Sequence, residues 1–146
     1  MAHLSTLSAW RQLLAVIYDL FLIAPLLMAN AFVLVTVFGP TDSVANPAVP
    51  SWLIQTTSLV VITTFFVGFW YKSGQTLGMQ AWRLKLVDDL GHPIGVKQGY
   101  IRCAAACLSA LALGLGYWWI FFHPQNRSWH DLISKTHLEV LPKKNS

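Results

Sequence analysis

The sequence predicts an all-α membrane protein: an antiparallel transmembrane helix pair, a third apolar helix or re-entrant helical hairpin, and a small cytoplasmic β-hairpin-like element. Three observations predict it. The 146 residues are 55% hydrophobic and only 11% charged, far from the balance of a soluble domain. The apolar residues fall into long blocks instead of short amphipathic periods, which is the pattern of membrane spans. The basic residues stand singly beside those blocks and form no run or stripe, so the net charge of +4 does not indicate nucleic acid. The length leaves room for a single domain, residues 1–146.

The first helix is expected at about residues 10–38, with Trp10 as an interfacial anchor, Arg11 at the membrane edge and Pro25 as a kink point. The run from Leu13 to Phe38 is too long for the apolar part of a signal peptide, and it carries Asp19 and Asn30. It therefore reads as a retained span. Gly39 to Ser51 holds Pro40, Pro47 and Pro50 and no Lys or Arg, which places this loop outside under the positive-inside rule. The second helix, about 52–71, is marked by Trp52 at one end and Trp70 and Tyr71 at the other. Both ends of the pair are then cytoplasmic.

Residues 72–99 leave the apolar pattern and form the first cytoplasmic segment. Within it Leu84 to Val87 reads as a short strand running into a turn at Asp88 to Pro93. Thr136 to Leu141 shows the same alternation and is a candidate partner for it. The third apolar run, about 100–122, carries basic residues on both flanks. It either spans once or turns back at Gly114-Leu115-Gly116, and residues 123–146 form the second cytoplasmic segment.

Three stretches resemble one family's pattern. The first runs from Trp10 and Arg11 to Asp19, an Arg and an Asp eight residues apart on the first helix. The second runs from Gly74-Gln75-Thr76-Leu77-Gly78 through Arg83-Leu84-Lys85-Leu86-Val87-Asp88 to Arg102. The third is Arg127-Ser128-Trp129-His130-Asp131-Leu132, closed by Thr136. Together they are similar to the RDD family of small bacterial integral membrane proteins, named for one arginine and two aspartates. The resemblance implies that Arg11 is the family arginine, Asp19 the first aspartate and Asp131 the second. The usual Lys and Gly near the last motif are replaced here by Ile133 and Lys135. It also implies a bacterial inner (plasma) membrane, in which the distribution of Lys and Arg puts the N-terminus in the cytoplasm; cation/proton antiport has been proposed for a few members.

The chemistry supports two readings. A carboxylate two turns inside a membrane helix is costly unless paired, hydrated or protonated. Arg11 lies about 80° around the helix and roughly 12 Å along it from Asp19, too far for direct contact. Counting from Tyr71 puts Thr63 and Thr64 level with Asp19 on the second helix, where their hydroxyls could hold Na⁺ or H⁺ with it. In the other reading Arg11, Asp19 and Asp131, supported by Arg102 and His130, form a charge cluster that pins the tail onto the helices. Asp131 is expected to pair with Arg11.

Three apolar elements make a poor transport path alone, so transport requires a homo-oligomer or a membrane-protein partner beside the lipid bilayer. His130-Asp131 is no catalytic dyad by spacing, since neighbours on a helix start do not face each other and no nucleophile stands beside them. No enzyme activity, cofactor or metal is expected. Cys103 and Cys107 would share one helix face as small packing residues. Gly74-x-x-x-Gly78 lies outside the apolar blocks and reads as loop more than as a helix contact.

Overall fold

The computed structural model describes residues 9–43, 45–125 and 127–142. Two helices are long and apolar enough to cross a membrane: α1, Ala9–Phe38, and α2, Ser51–Ser73. α1 runs through Pro25 as one helix of 30 residues. α2 begins after Pro50 and stops at Gly74, whose left-handed φ of 70° lets its N–H bond the Trp70 carbonyl at 2.9 Å. Asn30 Nδ2 donates to Thr57 Oγ1 at 3.1 Å and to Ser58 Oγ at 3.3 Å, which fixes the antiparallel register of the pair. Phe21, Met28 and Phe32 on α1 are exposed, as lipid-facing side chains are where hydrocarbon is the solvent.

After α2 come α3, Leu77–Ala81, and β1, Leu84–Asp88. The third apolar run starts earlier than the sequence suggested and is broken. α4 spans Val96–Leu111, α5 spans Leu115–Phe122, and the two meet at a bend of 97°. The break falls where the glycines stand: Leu113 and Gly114 have φ of 57° and 75°. Gly116 lets α5 fold onto α4, because a Cβ there would lie 2.1 Å from Ser109 Oγ. α6, Trp129–Ser134, follows, and β2, Thr136–Val140, ends the described chain's regular structure.

β1 and β2 pair antiparallel, from Leu84 against Val140 to Asp88 against Thr136. Leu84 and Leu86 are fully buried and join Ala15, Trp70, Met79 and Ile94 in the core. The core thus sits where the start of α1, the end of α2 and the sheet converge. Both strands match the segments expected from alternation.

Candidate functional site

Two buried carboxylates organise this region, and each is held separately. Asp19 is 2% exposed. The Thr76 hydroxyl donates to its Oδ2, and the Gly78 N–H donates to its Oδ1 at 2.9 Å. Thr76 is the N-cap of α3, accepting the Met79 N–H at 3.2 Å, so one side chain both starts a helix and grips the carboxylate. The approach depends on Gly78. A Cβ there would stand 2.2 Å from the Ala15 carbonyl oxygen and 2.9 Å from Asp19 Cγ. Of the two glycines expected to lie in loop, Gly78 is therefore a helix contact and Gly74 a helix stop.

Thr63 and Thr64 do not hold Asp19. The bonds at Asn30 set the register: Asp19 lies eleven residues before Asn30, and its level on antiparallel α2 lies eleven after Thr57 and Ser58, at about Gly68 and Phe69. Thr63 is half-buried, Thr64 is exposed, and among the described residues neither bonds the carboxylate. The count from Tyr71 failed because it put Trp10 level with the end of α2. In fact the first turns of α1 run on beyond that end and pack against α3.

Asp131 is 1% exposed and pairs with Arg102, itself 5% exposed. This overturns the expected Arg11 partner: Arg11 is half-exposed, and among the described residues no ion pair joins it to Asp19 or Asp131. α4 begins at Val96, so Arg102 lies on its second turn facing α6, with which α4 packs closely. Arg102 Nη1 also donates to Thr136 Oγ1 at 3.0 Å, and the guanidinium lies over the Trp70 ring, 5.3 Å from its centroid. Asp131 Oδ2 accepts the Ser128 N–H at 2.9 Å and the Ser128 hydroxyl at 2.8 Å, a capping box for α6. α2, α4, α6 and β2 are thereby joined through one guanidinium.

Burial alone would raise the Asp131 carboxyl. The Arg102 charge, with the Ser128 bond, nevertheless holds it below the ordinary carboxylate range. Burial, helped by Arg102, pushes His130 down to about 3, so its ring is neutral near pH 7. Its tautomer follows from its neighbours. Ser128 gives its one hydroxyl proton to Asp131, so at 2.8 Å Ser128 Oγ must accept from His130 Nε2–H. His130 Nδ1 is then a bare acceptor, buried and unpaired among the described residues.

A cavity of about 260 Å³ separates the two carboxylate centres, and Asp19, Thr63, Arg102 and His130 all line it. Cys103 and Cys107, both free thiols, share its α4 wall.

A model of the RDD family matches residues 6–135, which takes in both centres. The chain belongs to the RDD family. It is also 34% identical over 86 residues to an uncharacterised protein of Rickettsia prowazekii (strain Madrid E). That match covers 58% of this chain and 47% of the relative, so the chain spans about half the relative's length. No solved structure matches it.

In this RDD chain the motif stretches come together, but not as one cluster of an arginine and two aspartates. Asp19 meets the Gly74 to Gly78 stretch, and Asp131 meets Arg102. Sequence reasoning missed Thr76, Gly78, Ser128 and Thr136 as partners. For Ser128 a signal was present, since Ser-x-x-Asp has the spacing of a capping box.

Proposed function

We propose that this RDD protein is a structural or interaction module of the bacterial inner membrane, which assembles with a second copy or another membrane protein. The observation that carries the reading is that both buried carboxylates are engaged by donors of the chain itself. Thr76 and Gly78 hold Asp19; Arg102 and Ser128 hold Asp131. Groups held in this way act as staples between elements, since loss of either carboxylate would leave its buried donors unpaired. Cation/proton antiport through Asp19 would need further oxygen ligands, and neither Thr63 nor Thr64 bonds the carboxylate.

The reading places the sheet and the start of α1 in the cytoplasm, by the distribution of Lys and Arg. Liposomes containing only this protein should carry no Na⁺-driven proton flux above that of protein-free liposomes. A flux that disappears in Asp19→Asn would overturn the module reading and establish Asp19 as a transport site.

A further inference from the structure

α2 carries an open groove that neither carboxylate centre uses. Val61, Phe65, Gly68 and Lys72 line it, with Leu26 of α1 on its flank, and the spacing of the α2 residues puts them on one face of the helix. Gly68 widens it, since a Cβ there would meet nothing within 4 Å. Apart from Thr64 the walls are apolar, no acidic residue lines them, and the groove's cation stands at its end. Val60, the lining residue farthest from Lys72, is twelve residues away. That is about 18 Å of helix, against roughly 15 Å for one leaflet's half of the hydrocarbon core. The groove therefore has the depth of one leaflet, and Lys72, next to Trp70 and Tyr71, lies at the headgroup level of that leaflet.

We infer that this groove seats an anionic phospholipid of the bilayer, with one acyl chain along Val61, Phe65 and Gly68 and the phosphate at Lys72. Charge carries the choice. Among the described residues no acidic side chain pairs with Lys72. Lys85 adds a second cation at the same end of α2: its stem crosses Gly74, where a Cβ would stand 3.2 Å from Lys85 Cε. Glu139, opposite Lys85 in the sheet, has its Oε1 3.3 Å from His137 Nε2. Basic side chains at this level attract anionic headgroups. A zwitterionic lipid would fill the apolar walls as well, but it brings its own cation toward the two lysines. A second copy is a poorer occupant. Two copies sharing a bilayer are related by an axis along its normal, so meeting groove to groove would set Lys72 against Lys72 at one depth.

The test uses the full chain in dodecyl maltoside micelles, with phosphatidylglycerol as probe and phosphatidylcholine of the same acyl chains as its counterpart. Thermal unfolding should show phosphatidylglycerol stabilising the protein at a roughly fivefold lower mole fraction than phosphatidylcholine. Lys72→Gln should bring the two lipids to the same response, and Lys72→Arg should keep the preference. Lys97→Gln, which removes an exposed cation outside the groove, should leave it unchanged. Gly68→Phe, which fills the groove, should abolish it. An equal response to both lipids in the unaltered chain, or a preference that survives Lys72→Gln or Gly68→Phe, would overturn the site. Equal losses in Lys72→Gln and Lys97→Gln would also overturn it, in favour of diffuse attraction to the basic surface. A dimer that persists without any lipid preference would assign the groove to a second copy instead. Should Gly68→Phe fail to fold, the three lysine variants decide alone, since each changes an exposed side chain. Micelles have no sides, so the outcome does not depend on the orientation proposed above, and an Na⁺-driven flux would overturn the module reading without touching this site.

Discussion

At the scale of single residues, Asp131 shows how a buried charge chooses its partner. Its carboxylate lies within reach of a guanidinium, a backbone N–H and a hydroxyl, so removing either member of the Arg102 pair leaves the other buried and uncompensated. Arg102→Leu and Asp131→Leu should each cost about 3–5 kcal/mol, and the double variant should cost clearly less than the sum of the two. Unfolding of the four proteins in one detergent checks it; additive losses would dissolve the pair. Arg11→Leu serves as the contrast and should cost under about 1 kcal/mol, as exposed charges do. The sequence marked Asp131 through its resemblance to the family pattern, as the second aspartate. It did not mark which arginine, because Arg11 and Arg102 both flank apolar runs. The choice depended on where α4 starts, and helix starts are set by caps that hydropathy does not register.

At the scale of elements, two glycines decide how closely helices approach, and they differ in what obstructs them. Gly78 faces the backbone carbonyl of Ala15, whereas Gly116 faces the side chain of Ser109. Gly78→Ala should therefore separate α3 from α1 and cost at least about 1–3 kcal/mol, with no single side-chain change restoring it. Gly116→Ala should cost a similar amount, yet be relieved by Ser109→Gly, since the clashing atoms are Ser109 Oγ and Cβ. Thermal unfolding of the single and double variants checks both; failure of Ser109→Gly to relieve Gly116→Ala would refute the contact. The helices themselves were legible as apolar blocks, and Gly114 to Gly116 was legible as the place where a bend would fall. Whether residues 100–122 bent or ran straight was not, because apolar content gives the length of a run and not its direction. The level of Asp19 was missed for a related reason: Trp10 could mark a membrane edge or a contact, and its ring lies 6.0 Å from that of Phe121.

At the scale of the whole molecule, the sheet closes the chain on itself. β1 precedes the bent pair α4 and α5, β2 follows it, and their backbones hydrogen-bond to each other. Two bonded strands lie on one side of any bilayer, since an open sheet edge does not cross hydrocarbon. The pair α4 and α5 should therefore enter and leave by the same face. A cytoplasm-dependent reporter fused to the C-terminus should be as active as one fused to the N-terminus, and activity only from an externally dependent reporter at the C-terminus would show that residues 96–122 cross.

That same pairing imposes an order on biosynthesis. Asp88 and Thr136 face each other in the sheet but leave the ribosome 48 residues apart, a delay of roughly 2–10 s at ordinary elongation rates. Throughout that interval Leu84 and Leu86 have no strand to cover them, although α1 and α2 have already emerged. A nascent chain stalled in this window would offer an open strand edge next to the membrane, the kind of feature that aggregates or recruits chaperones and proteases. Synthesis of β2 is thus the step expected to close that edge.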